Sequence, residues 1–246
     1  MGPVVVGFVV MGFGMTTTGP SLGWWIVLLL AFDTATPAVT VALHDGATVI
    51  AAESAVDARR HGELLSAFID KVLRSVGAGE ADLTGIAVGT GPGPYTGLRT
   101  GLITARVLGS ALGIRTDGVC SLDVIAVAAR AAAAGSEFLV ATDARRREVY
   151  WACYTAEGQR TDGPRVSRPA DAESGIPAGL PVAGEGAVLY PEIAGRALEP
   201  RYPSAEHLAA IVAVRVAAGE PPDPAEPLYL RRPDAREPGR PKRVTP

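Results

Sequence analysis

From Leu28 onward the chain alternates short apolar runs with longer helical periods. The first run, Leu28 to Asp33, reads as a buried strand that ends on a carboxylate. Ala35 to Pro37 makes a turn. Val39, Val41 and Leu43 then alternate with Thr40, Ala42 and His44, and that period of two predicts a half-buried antiparallel strand. Asp45-Gly46 is a hairpin signal, and Thr48 to Ala55 supplies a third strand. A helix is predicted from His61 to Val76, ended by Gly77. Ile86 to Gly89 is a short apolar strand, followed by a Gly/Pro loop and a helix from Gly97 to Leu112. A strand from Ile114 to Val119 and a helix capped by Ser121 complete the first half.

The pattern then recurs. Setting Asp143 on Asp33, an offset of 110 (143 − 33), brings Val149, Trp151 and Cys153 onto Val39, Val41 and Leu43. Each copy has an apolar strand ending in Asp, a short turn, then an alternating strand. Two such units, each followed by helices, imply a duplicated α/β fold of two lobes. The second copy is poorer in regular signal. It has a Gly/Pro-rich stretch from Gly175 to Pro181, a turn from Val182 to Gly186, and a helix from Ser204 to Ala218. Pro221, Pro222, Pro224 and Pro227 form a stiff connector.

The ends differ in character. Residues 1–32 carry no charged side chain. A signal peptide would need a basic start, and Thr16 to Ser21 break the apolar run that a membrane span would need. Residues 1–26 are therefore expected to be a dispensable extension, with Val27 as an alternative start. Residues 27–134 are expected to form the first lobe, 135–232 a reduced second lobe, and 233–246 a basic, Pro-rich tail. The tail reads as a solvated end, or as an arm that touches RNA.

At 48% hydrophobic over 246 residues the chain can bury a sizeable core. Its formal net charge of −3 argues against nucleic-acid binding by bulk electrostatics, so any RNA contact must be local or shared with a partner. Cys120 and Cys153 stand far apart, which fits a reducing compartment better than a disulfide framework.

The loop Gly89 to Arg99 follows a strand and opens a helix, where phosphates often sit. It lacks the Lys-Ser/Thr pair of a P-loop and the spacing of a dinucleotide fingerprint. Pro92 and Pro94 also remove two backbone donors. Thr96 and Arg99 are the anion-binding candidates it offers, with a structural ion pair as the other reading of Arg99. Asp33 and Asp143 end their strands where an actin-like kinase fold would reach nucleotide-bound Mg²⁺, and Gly184 and Gly186 are candidates for an adenosine loop. Asp143 is followed by three arginines where a Gly-rich phosphate turn is needed, so these four residues read as a vestigial nucleotide cleft. Both carboxylates are expected to cap their own turns. His61 is followed four residues on by Leu65, so no His-x-x-x-His pair exists, and no other ligand spacing or nucleophile elbow is present.

Two helices look suited to a partner, with both packed inside this chain as the other reading. On the first, Leu64, Leu65, Phe68, Ile69 and Val72 are candidate partner contacts, with Leu64/Phe68/Val72 and Leu65/Ile69/Val76 as two rows, one for the core and one for an interface. On the second, Leu98, Leu102 and Ala105 are candidates, interleaved with Gly97, Gly101 and Gly109, which would permit close helix approach.

Several pieces together resemble the TsaB family of tRNA threonylcarbamoyladenosine biosynthesis proteins. They are Leu30 to Thr36, His61 to Leu65, Gly91 to Gly101, Asp143 to Arg146 with Glu148 to Tyr150, Ala183 to Gly186, and Leu228 to Arg231. Pro94-Tyr95 and Arg147 depart from the family's usual Ser-Phe and Gly. The resemblance implies an actin-like/sugar-kinase (ASKHA) fold and a cytoplasmic, non-catalytic paralogue of TsaD. In that family two helices from TsaB and two from TsaD form a heterodimeric bundle, TsaE joins the complex, and tRNA is reached through it. It further implies no cofactor or metal of its own, with ATP or ADP at the partner interface and a homodimer as candidates. The competing readings are an active actin-like ATPase or kinase using Asp33 and Asp143, and a metallopeptidase.

Overall fold

The computed structural model describes residues 27–231 apart from Ala170 and Ala172. The expected extension at 1–26 and the tail at 233–246 lie outside the described residues.

Two five-stranded sheets carry the described residues. In the first, β1 (Leu29–Asp33), β2 (Ala38–His44) and β3 (Val49–Val56) form an antiparallel meander. β4 (Gly85–Gly89) and β5 (Arg115–Val119) add parallel strands, giving the order β3-β2-β1-β4-β5. In the second, β6 (Phe138–Asp143), β7 (Val149–Tyr154) and β8 (Arg160–Ser167) repeat the meander. β9 (Pro181–Ala183) and β10 (Arg196–Leu198) repeat the parallel pair, so the order read from β8 is β8-β7-β6-β9-β10. The duplication predicted from the sequence is the architecture of the protein.

The offset holds for the first strands and slips by one on the second. Asp33 faces Thr40 across its hairpin, whereas Asp143 faces Val149, so the turn is one residue shorter in the second copy. A one-residue slip exchanges the faces of a strand. Val149 and Trp151 accordingly join Leu139 and Ala141, the face that corresponds to Leu29, Ala31 and Ala42. Val39, Val41 and Leu43 lie on the other face, with Leu30 and Phe32.

Among the described residues five α-helices complete the fold: α1 (His61–Ser75), α2 (Tyr95–Leu112), α3 (Ser121–Ala129), α4 (Gly186–Leu189) and α5 (Ala205–Ala217). Leu65 and Ile69 of α1 and Leu98 and Leu102 of α2 pack on one face of the first sheet. Leu208 and Val212 of α5 pack on its other face. β2 is therefore buried along its whole length rather than on one side, because a helix from the far end of the chain covers its Thr40 and Ala42 face. α3 packs on the second sheet through Leu122, Ile125 and Ala126. The last helix of each half thus crosses to the other sheet. Among the described residues the second copy has no helix matching α1, and a four-residue helix stands where the first copy has the 18 residues of α2.

Of the helix ends read from the sequence, those at Gly77 and Ser204 follow local chemistry and the one at Ser121 does not. Gly77 takes φ +70° after α1, and Ala78 N–H reaches the Leu73 carbonyl, a left-handed stop. Ser204 caps α5 by accepting from His207 N–H at 3.4 Å. Ser121 does not cap α3. The helix starts at Ser121 itself, and its hydroxyl is drawn to a buried carboxylate in the neighbouring sheet.

Candidate functional site

Asp33 ends β1 with no exposure to solvent. Its Oδ1 accepts the Ala35 N–H at 2.7 Å, an Asx turn, and its Oδ2 accepts the Ser121 hydroxyl at 2.5 Å. Ser121 in turn accepts the Gly91 N–H at 3.2 Å, which fixes the loop after β4. A Cβ on Gly89 would overlap the Asp33 carboxylate, so the strand passes against it with no space between. Burial pushes the Asp33 carboxyl above its ordinary range, against the lowering effect of its two hydrogen bonds. This carboxylate is a structural pin.

Asp143 repeats the motif at the end of β6. Its Oδ1 accepts the Arg145 N–H at 2.9 Å, and the Arg145 guanidinium pairs with it at 3.3 Å. Gly184 sits at φ +95°, and a Cβ there would overlap the Ala141 carbonyl; at Gly186 a Cβ would lie 2.7 Å from that of Ala141. Both glycines let α4 lie on β6. The four residues of the expected vestigial cleft are all engaged in packing or turn closure.

Between the two Asp turns lies a cavity of about 220 Å³, with Gly93, Pro94 and Tyr95 on one side and Ala144, Arg145 and Tyr150 on the other. Its remaining wall is the chain's own C-terminal segment. Gly118 N–H donates to the Asp223 carbonyl at 3.0 Å, and Leu228 N–H to the Thr90 carbonyl at 2.9 Å. Tyr229 stacks on Tyr95 with centroids 4.6 Å apart. Arg231 donates to the Ala144 carbonyl at 3.1 Å and forms an ion pair with Glu148. The strap therefore bonds first to one lobe and then to the other. The cavity is smaller than the roughly 300–1,000 Å³ of ligand sites, and a Cβ on Gly93 would overlap the Ala35 carbonyl, so the loop is pressed onto the first Asp turn. The residues present do not fit a nucleotide in this cleft.

Arg99 and Thr96 are exposed on the first turns of α2. Arg99 is engaged by the strap: its Nε donates to the Tyr229 hydroxyl at 2.9 Å, and its guanidinium lies 4.8 Å from the Tyr95 ring centroid. The Tyr229 hydroxyl raises the Arg99 pKa further. Its partner is thus an aromatic clamp rather than the carboxylate expected of an ion pair. Sequence reading missed the strap, although Leu228 to Arg231 was in view as a motif.

The turn after β6 has a second peculiarity. Arg145, Arg146 and Arg147 take φ values of +62°, +56° and +59° in succession. Left-handed backbone costs a non-glycine residue roughly 1–2 kcal/mol, and all three side chains are exposed.

On the helical face, Leu65, Ile69, Val72, Leu98, Leu102 and Ala105 are core residues, with exposures of 7% or less. Leu64, Phe68 and Val76 are half-buried against that same core. Burial does not follow the two rows as drawn: Leu65, Ile69 and Val72 face the sheet, while Leu64, Phe68 and Val76 keep part of their surface in solvent. Gly97 brings α2 close to Thr34 and to His61 at the start of α1, and Gly101 and Gly109 bring it close to Thr34 and Thr116. The exposed apolar residues are instead Ile103 and Val107, each 60% exposed and four apart on α2. They border a groove of about 650 Å³ between α1 and α2, floored by Leu65, Ile69 and Leu73. Once the glycine and leucine stripe of α2 is assigned to the sheet, the two β-branched residues on its opposite side are the signal that marks them.

Among the described residues no group of three or more His, Cys, Asp or Glu side chains is gathered to hold a metal ion, and no helix is long and apolar enough to cross a membrane.

A family model described as TsaD, tRNA N6-adenosine threonylcarbamoyltransferase, matches residues 50–203. An uncharacterized protein of Mycobacterium tuberculosis is 45% identical over 214 residues, covering 86% of this chain and 95% of that protein. The tRNA threonylcarbamoyladenosine biosynthesis protein TsaB of Escherichia coli is 36% identical over 126 residues. That match spans 51% of this chain and 54% of the E. coli protein, little more than half of either. A crystal structure from Pseudomonas aeruginosa, described as an uncharacterized protein with similarity to peptidase YeaZ, superposes with a TM-score of 0.71 at 30% identity. It covers 84% of this chain and all of its own. YeaZ from the same organism gives 0.69 at 30% identity, over 83% of this chain and all of its own.

Proposed function

The chain belongs to the TsaB family, and on that premise we propose that it is a cytoplasmic, non-catalytic dimerisation subunit in tRNA threonylcarbamoyladenosine biosynthesis. It binds and supports a TsaD-type subunit, which adds threonylcarbamoyl to N6 of the tRNA adenosine beside the anticodon, with a TsaE-type ATPase joining them. The observation that carries this reading is the α1–α2 face. Ile103 and Val107 stand 60% exposed beside an apolar groove, a surface suited to two helices of a partner. The silent role is supported by the engaged state of Asp33, which is buried against Gly89 and Ser121 and closed to a metal-nucleotide. Nucleotide, on this reading, belongs at the interface with the partner and not in the chain's own cleft.

The test is Ile103→Asp with Val107→Asp, made together. Both side chains are largely solvated in the free chain, so its melting temperature should hardly move. Two carboxylates pressed into an apolar interface should weaken association by about 2–5 kcal/mol, enough to lose co-purification with the TsaD-type subunit and tRNA modification by the mixture. Retention of both with the double variant refutes the docking face. If the free chain self-associates through the same face, the variant also abolishes that dimer in sedimentation.

A further inference from the structure

We propose that β3 is the edge through which two copies of this chain pair, antiparallel about a two-fold axis at Ser54, joining their first sheets into one sheet of ten strands. The inference goes beyond the proposed function and does not rest on it, because no residue of β3 lines the α1–α2 groove.

A sheet edge presents unpaired N–H and C=O groups, and proteins blunt such edges or cover them. The two described sheets have four edges, and three are dealt with. β5 is held along its outer side by the strap, with Gly118 N–H on the Asp223 carbonyl at 3.0 Å and Arg115 on the Glu220 carbonyl at 3.2 Å. β8 is interrupted by Gly163, at φ +87°, and by Pro164, and it carries Arg160, Asp162 and Arg165. β10 is three residues long. β3, the counterpart of β8 in the duplication, has eight residues with neither proline nor glycine. Its one charged side chain, Glu53, pairs with Lys71 of α1 at 2.7 Å. Among the described residues β2 is the only strand bonded to it.

The register fixes which groups of β3 are free. Asp57 N–H donates to the Pro37 carbonyl at 2.9 Å, and that pair continues the ladder in which Ala38 faces Val56. Bonded and non-bonded pairs alternate in an antiparallel ladder. Glu53 and Ala55 therefore bond to β2, and Ala52, Ser54 and Val56 direct their N–H and C=O groups outward. The side chains of the same three residues are exposed, that of Val56 at 62%. Beside them a groove of about 460 Å³ separates Ser54 and Val56 from Arg201 and Tyr202. The described chain thus leaves room for a strand laid along β3.

The strand that fits this edge is β3 itself. With Ser54 opposite Ser54 of the second copy, Ala52 meets Val56 and Glu53 meets Ala55. No like charges are opposed, and Val56 faces a small residue that leaves it space. An axis at Glu53 would set two carboxylates opposite each other, which destabilises a strand pair. The arrangement also closes. Each copy uses its β3 edge once, and with the other three edges blunted, association stops at the dimer. One strand pair lies at the small end of protein interfaces, so the dimer should form at roughly 10–100 μM.

The experiment is sedimentation of the full chain over that range, with cysteine cross-linking to read the register. Ser54→Cys places its two thiols on Cα atoms about 5.5 Å apart, a distance that a disulfide spans. Two Val56→Cys residues would stand about 13 Å apart along the strands. Mild oxidation should join Ser54→Cys into a dimer and leave Val56→Cys unlinked, although Val56 is the largely exposed one. Wild type, with Cys120 and Cys153, is oxidised in parallel. Ala52→Lys with Val56→Lys sets lysines against each other at both ends of the pair and should raise the dissociation constant about ten-fold or more at an unchanged melting temperature. Ser54→Pro removes only an outward N–H and should do the same; if the proline lowers melting, the lysine pair decides. A chain that stays monomeric at about 100 μM overturns the inference and leaves the edge to a strand from another protein. Equal cross-linking of the two cysteine variants overturns it too. Ile103→Asp with Val107→Asp should keep this dimer, and its loss there would move self-association to the α1–α2 face and sink the β3 pairing. Whether that variant still binds the TsaD-type subunit bears on the proposed function alone.

Discussion

Replacing Tyr229 by alanine should loosen the two lobes from each other without unfolding either. Tyr229 is 41% exposed, so only part of its ring leaves water. At about 25 cal/mol per Å² of apolar surface, that part is worth about 1 kcal/mol. Stacking on Tyr95 at 4.6 Å and 14° adds about 0.5–1.5 kcal/mol. The sum, roughly 1.5–2.5 kcal/mol, corresponds to a fall of about 3–10 °C in melting temperature for a chain of this size. The hydroxyl also accepts from Arg99, and Tyr229→Phe isolates that bond from the ring.

The decisive assay is a double-mutant cycle with Tyr95→Ala. Direct stacking requires a coupling of about 0.5–1.5 kcal/mol between the two substitutions. Amide exchange adds a second reading. Leu228 N–H and Gly118 N–H bond across the strap, so both should lose protection in Tyr229→Ala, while the central strands β1 and β6 keep theirs. Full additivity, with Leu228 N–H still protected, would show that the strap does not depend on the aromatic clamp, and the reasoning would fail.

Two further outcomes follow from the Asp33 pin. Asp33→Asn keeps the acceptor for Ala35 N–H and removes a buried charge, so the variant should be at least as stable as wild type at pH 7. Because burial raises the native carboxyl's pKa, wild type loses stability as pH rises from the ordinary carboxylate value through the raised one. The advantage of the variant in thermal melts should therefore shrink as pH falls toward 4, and an advantage that grows in acid contradicts the assignment. Gly89→Ala should cost about 3 kcal/mol or more, because its Cβ overlaps a carboxylate held on both oxygens. Wild-type melting of that variant would show that the packing around Asp33 is looser than described.

The duplication was legible because an Asp at a strand end, a short turn and an alternating strand are local patterns. Asp45-Gly46 and Gly77 were legible for the same reason, since each acts on its own few residues. The errors share an opposite cause. β2 reads as half-buried because Thr40 and Ala42 suit a solvated face, and only α5, some 165 residues away in sequence, covers them. Ser121 has the right residue type for a cap, yet a buried carboxylate 88 positions earlier outcompetes the helix N–H groups. The offset of 110 misassigns β7 because one residue is missing from a turn, a change too small to register in hydrophobicity but sufficient to exchange two faces. On α1 and α2 the apolar positions were found, but partner face and core face differ only in what lies beneath them.

The strap and the reduction of the second lobe bear on one another. A two-lobed fold whose halves meet around an open cleft can close and open by hinge rotation. Among its described residues the second lobe lacks a counterpart of α1 and keeps only four residues in place of α2, so they form no helical layer equivalent to the α1–α2 face. What it retains is a sheet that receives α3 on one side and Leu228 of the strap in the same core. Hydrogen bonds from the strap reach Gly118 and Thr90 on the first lobe and Ala144 on the second, so any opening of the cleft must break contacts at both ends together. A hinge that is bonded across its mouth holds its lobes at one angle. With the angle held, the α1–α2 groove and the arginine turn, which belong to different lobes, keep a constant separation.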